Sequence, residues 1–299
     1  MSTPRRQRVR VRAANAPSQA SAPRVPTGVE NRAPGTVEVQ FDFVRILAET
    51  AELNRISSDF LTSTAHARMD QFIGQLKTYQ RESTTTSRLY RWEIPEDAPI
   101  CTVVSEGAYE TGDAGGEHRV YAAIDGVWQI YSLPSGRRAI LPATFSVEGP
   151  ASIRIRLLER TSGDQSEPTG TSKDERQLAM WRMELGNVDA PGCHFHVQVL
   201  GQTTALPFPK SLSIPRLPST FVTPAAAIEF AIAELFQVQW RRHASENAPL
   251  FSRWGSVQRA RWQALLTWQL ECAHDPDFGS PWTAFKVAKP RTDLFLERG

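Results

Sequence analysis

The residues best suited to chemistry lie in PGCHFHVQVLG, residues 191–201, where His194 and His196 stand two apart beside Cys193. In an extended strand, two residues at that spacing share a face, roughly 7 Å apart at their Cα atoms. Such a pair of imidazoles can hold zinc or iron when a carboxylate supplies a third ligand. An imidazole oriented by a carboxylate can also move protons in acid–base catalysis.

The third group comes from RQLAMWRMELG, residues 176–186. Folded against 193–200 as an antiparallel pair symmetric about Asp189, this run places Leu185 opposite Cys193, Met183 opposite Phe195 and Trp181 opposite Val197. Every partner on that face is apolar. On the other face Glu184 meets His194 and Arg182 meets His196. A one-residue slip would mix the faces, so the pattern supports this parity. Cys193 then points to the core, away from the histidines. Arg182 argues against a metal, because a cation beside His196 repels one. The strand pair is open to three readings. The first is a polar face, exposed or covered by a partner. The second is a zinc or iron site of His194, His196 and Glu184. The third is a catalytic His194 oriented by Glu184, with His196 and Arg182 beside it.

Nothing else in the chain carries a catalytic signature. GxGxxG, GxxxxGK[ST], HExxH and GxSxG are all absent. The three cysteines, Cys101, Cys193 and Cys272, are scattered, form no CxxC pair and suit a reducing, cytoplasmic compartment. No cofactor is expected beyond the zinc alternative. His66, His243 and His274 read as surface residues near helix ends, and His118 as a hairpin-edge residue.

Composition is that of an ordinary globular chain: 299 residues, 40% hydrophobic and 22% charged. No apolar run is long enough to span a bilayer, so no membrane partner is expected. The net charge of +2 is unevenly spread. Residues 1–29 carry six arginines and no acid, which leaves the remainder at −4. Residues 1–36 are rich in Arg, Ala, Pro and Ser and too poor in large apolar groups to fold, so they read as a disordered basic arm. Arg5, Arg6, Arg8, Arg10 and Arg12 are its candidate nucleic-acid contacts through phosphate. Arg154 and Arg156, or Arg259 and Arg261, would extend that surface. A passive tail and an organelle transit peptide over 1–29 are the competing readings.

The elements that must position these groups read as one α+β domain over 37–299. Residues 37–80 are helical, with apolar positions three and four apart and Ser63 or Thr64 capping a second helix. Residues 87–201 form an antiparallel sheet of about six to eight strands, broken by turn chemistry at 112–116 and at Ile124–Gly126. Ile153, Ile155 and Leu157 alternate with Arg154 and Arg156, giving a half-buried strand with a basic outer face. Residues 161–175 read as a long exposed loop. A proline-rich strap over 205–222 comes next, free of ladder bonding, and is the alternative domain boundary.

Residues 223–299 are helical. Thr223 and Pro224 make a cap-and-proline start for a helix to about Trp240. A last helix over 256–272 turns Val257, Ala264, Leu265, Trp268 and Cys272 inward, with Trp262 and Leu266 widening that face. Residues 276–299 read as irregular. Trp254, beside Arg253 and Gly255, and Trp282 are the candidate exposed interface anchors.

The function expected is therefore a non-enzymatic interaction or accessory subunit that binds a protein partner in a larger assembly. The alternatives are a metal- or histidine-dependent hydrolase built on the histidine strand, and a nucleic-acid-binding protein using the arm.

Overall fold

The computed structural model describes residues 39–82, 89–106, 119–132, 144–147, 152–160, 165–172, 175–185, 193–200, 217–220, 223–288, 290–291 and 293–296. The chain divides into Met1–Asn31 and Arg32–Gly299. The first unit, with Arg5 to Arg12, lies outside the described residues, as does His118.

In chain order the elements are β1 (Gln40–Asp42), α1 (Phe43–Ile56), α2 (Ser63–Glu82), β2 (Leu89–Ile94), β3 (Ile100–Cys101), β4 (Ser105–Glu106), β5 (Arg119–Ser132), β6 (Thr144–Val147), β7 (Ser152–Glu159), β8 (Arg176–Leu185), β9 (Phe195–Leu200), β10 (Leu217–Pro218), α3 (Pro224–Leu235), α4 (Gln237–Glu246), α5 (Ala248–His274) and α6 (Pro281–Val287). The class is α+β. Among the described residues, ten strands make one sheet in which every ladder between named strands is antiparallel, in the order β1-β6-β5-β7-β8-β9-β10. β2, β3 and β4 lie end to end along one edge of β5, and β7 and β6 along the other.

Strand alternation puts Ile153 and Ile155 of β7, Met183 of β8 and Phe195 into the buried core with the helices. Aromatic rings join the two layers. Trp92 stacks on Phe72 at 3.9 Å and donates its indole N–H to the Phe72 carbonyl at 3.0 Å. Trp181 meets Phe230 of α3 edge-on, and Phe195 meets Trp268 of α5 in the same way. Such pairs contribute about 0.5–1.5 kcal/mol beyond their burial.

Several sequence expectations change here. The expected turn at Ile124–Gly126 is the middle of β5, where ladders on both edges hold the backbone straight. Helix α1 is preceded by a short strand, and Asp42 caps it by accepting from Val44 and Arg45. The cap of α2 is neither Ser63 nor Thr64. Thr62 accepts from Ala65 N, while Glu167 reaches across to Ser63 N and the Thr64 hydroxyl. Those bonds, that from the Thr64 side chain foremost, hold the Glu167 carboxyl below its ordinary value.

The loop holding Glu167 is therefore docked rather than loose. Pro168 and Gly170 are buried, and Gly170 N donates to the Tyr121 hydroxyl, which donates to Glu175. The end of the proline strap joins the sheet as β10, and Ser219 N donates to the Phe195 carbonyl. Proline lacks a donor but tolerates an edge strand. The expected helix 224–240 breaks at Phe236 into α3 and α4. Helix α5 begins eight residues before Ser256, and the expected irregular tail contains α6, capped by Ser280. Among the described residues, no helix is long and apolar enough to cross a membrane.

Candidate functional site

β8 and β9 pair with the expected face parity but two residues further along. Glu184 lies opposite His196, Arg182 opposite Gln198, and Met183 opposite Val197. The expected pairings of Glu184 with His194 and of Arg182 with His196 do not form. The apolar and polar faces survive, because a two-residue shift preserves a period of two.

The histidines do not lie on an exposed face. His194 is 2% exposed and His196 3%. His196 Nδ1 lies 2.9 Å from the Cys193 carbonyl oxygen, and its Nε2 lies 3.2 Å from Glu184 Oε2. Both ring nitrogens thus lie against oxygens of the protein itself. The His194 ring packs edge-on to Phe195 at 4.8 Å. Arg182 bonds Glu184 at 2.8 Å and Gln198 at 2.7 Å. Among the described residues, no three His, Cys, Asp or Glu side chains gather as metal ligands.

This cluster continues a polar row across the sheet, in which Asp125, Arg154, Arg182 and Gln198 occupy successive strands. Arg154 bonds Asp125 at 2.7 Å and Glu96 at 2.8 Å, and Arg156 lies 3.3 Å from Asp125. Burial raises the Asp125 carboxyl even against these two cations. The expected basic outer face is a set of paired charges and offers little to a phosphate.

His243 is half-buried rather than fully exposed. Its Nε2 donates to the Ile56 carbonyl at the end of α1, and its ring meets Phe60 and Phe251. His66 is tied to Asn54.

The helical layer carries the other candidate. Trp254 is 2% exposed and so is no surface anchor, whereas Trp262, Leu266 and Leu270 of α5 are 43%, 48% and 58% exposed. The reason is where the helix starts. Because α5 begins at Ala248, Trp254 falls on the inner stripe with Gln258, Arg261, Leu265, Trp268 and Cys272. Trp262 and Leu266 belong to the next face round. They border a groove of about 690 Å³ between α3 and α5, with Glu229, Phe251 and Trp254 along it. Trp282 is also exposed, with Lys286 over its ring at 5.4 Å.

Beneath the groove lies a buried ion pair that the sequence reading missed. Arg261 Nη1 donates to Glu49 Oε2 at 2.5 Å, and Gln258 adds a bond at 3.3 Å. Arg261 also reaches the Thr223 hydroxyl that caps α3. It is therefore no phosphate contact. A signal existed: Glu49 sits on the α1 stripe of Ile46, Leu53 and Ile56, and Arg261 on that of Leu265 and Trp268.

Glu229 is the titratable group of the groove. Burial raises its carboxyl above the ordinary 4.5, partly offset by the Trp254 and Trp240 side chains. Its contribution to stability is therefore complete below the ordinary carboxylate value and is lost as pH rises through the raised one. Glu229→Gln is expected to equal the native chain in acid and to become relatively more stable as pH rises. Urea unfolding of both chains across that range checks it, and a pH-independent difference would refute it. Compared with known protein families, curated proteins and solved structures, the chain matches none.

Proposed function

We propose that this chain is a non-enzymatic interaction subunit and that the α3–α5 groove is where its protein partner docks. The observation that carries the reading is the stripe of Trp262, Leu266 and Leu270, three large apolar side chains a turn apart in solvent. About half of each side chain remains exposed, so burying the rest would contribute on the order of 1 kcal/mol apiece. A contiguous apolar patch beside a groove suits a partner helix more than a small polar substrate. The hydrolase alternative finds less support, since both nitrogens of His196 are occupied and both histidines are buried.

Native co-purification tests the proposal. The chain is expected to retain a stoichiometric protein at moderate salt, and Leu266→Glu is expected to lose it. Leu266 is exposed, so the substitution leaves the fold intact. A chain that purifies alone, or a partner indifferent to Leu266→Glu, would overturn it.

A further inference from the structure

We infer that the α3–α5 groove is a cation site, in which a lysine side chain of the docking partner lays its alkyl stem along Phe251 and Trp254 and seats its ammonium group on Glu229. The inference rests on the docking reading and names the group that the partner brings.

The demand for a cation comes from within the molecule. Glu229, half-buried, forms the α3 wall of the groove of about 690 Å³, and Phe251, Trp254 and Trp262 of α5 line the rest. The Trp254 and Trp240 side chains flank its carboxyl. Among the described residues no cation pairs with Glu229, and the one charge that acts on it is another carboxylate, Glu49. Arg261 beneath is engaged with Glu49. Arg259, the cation of the groove itself, folds back along its own helix over Gly255, its Nη1 3.0 Å from where a Cβ there would stand. An ionised carboxyl drawn out of water without a counterion costs free energy, and an incoming cation offsets that cost.

The walls select the kind of cation. Aromatic rings beside a carboxylate suit an organic ammonium group, because the rings attract positive charge and exclude water. Lysine carries a compact charge on a flexible alkyl stem, so the stem can cover the rings while the head reaches the carboxyl.

Two titrations of the full chain test this, beside the co-purification. The probe n-butylammonium chloride carries the lysine head and stem, and n-butanol carries the stem alone. Followed by the NMR signal of the Trp254 indole N–H, n-butylammonium is expected to bind about tenfold more tightly than n-butanol. Glu229→Gln should abolish that preference with an unchanged circular dichroism spectrum. In the co-purification, Glu229→Gln should weaken retention about tenfold, and so should acetylating the lysines of the retained protein before it is added back. Equal binding of the two probes, a preference that survives Glu229→Gln, or retention indifferent to either change would overturn the inference. If a protein is retained through Leu266 but not through Glu229, the lysine is refuted while the docking reading stands. If the chain purifies alone yet prefers n-butylammonium through Glu229, the docking reading falls, and the partner's lysine gives way to a free amine as the occupant.

Discussion

Arg261→Met is expected to destabilise the fold by about 3–5 kcal/mol at neutral pH, among the largest effects of any single substitution in this chain. The Glu49 side chain is wholly buried and Arg261 nearly so. Burial raises the Glu49 carboxyl, and Arg261 is the main influence opposing that rise. Removing the guanidinium leaves a carboxylate that must either stay charged without a counterion or take up a proton. The carboxyl then rises further, so the penalty should grow as pH climbs above the ordinary carboxylate value and shrink below it. Pairing the change with Glu49→Gln removes the stranded charge and should recover most of the loss. Urea unfolding of the four chains in this cycle measures the coupling directly. An Arg261→Met chain within about 1 kcal/mol of native at neutral pH would show that the pair is not held as described.

Gly170→Val is expected to be nearly as damaging, by about 2–5 kcal/mol, for two reasons that add. Gly170 has φ +72°, a left-handed conformation that a β-branched residue strongly disfavours. A Cβ there would also stand 2.7 Å from Pro99 Cγ, 2.8 Å from Ala123 Cβ and 3.1 Å from Cys101 Sγ. The neighbours are the small core of Cys101, Tyr121, Ala123 and Leu158, where burial pushes the Cys101 thiol up to about 12. The loop cannot keep its seat, and its loss also withdraws Glu167 from the start of α2. Limited proteolysis gives the readout beside unfolding: cleavage within 165–172 should be slow in the native chain and fast in the variant. Superimposable unfolding curves and cleavage rates would sink the account.

Some of this molecule was determined by the sequence alone. Alternation of Ile153 with Arg154 and of Met183 with Arg182 set which face of each strand is apolar, whatever the register. Thr223 before Pro224 set the start of α3, and the apolar spacing set the inward faces of α1 and α2. These are local properties, governed by a period of two or 3.6 and by orphan amides at a helix end.

Only the tertiary structure decided the rest. The β8–β9 register slid by two residues because parity cannot tell one even shift from another, and that slide moved Glu184 from His194 to His196. Asp125–Gly126 reads as a turn until two flanking ladders hold it straight. Most of residues 165–172 are exposed, as their composition implies, but the seat taken by Pro168 and Gly170 was not legible because its anchors, Tyr121 and Ser63, are far away in sequence. Trp254 and Trp262 exchanged roles because a helix starting at residue 248 rather than 256 carries Trp254 onto the inner stripe. Which polar residues end up buried depends on partners brought from distant elements, as Glu49 depends on Arg261. A local pattern records the face a residue takes, and long-range contact sets what that face meets.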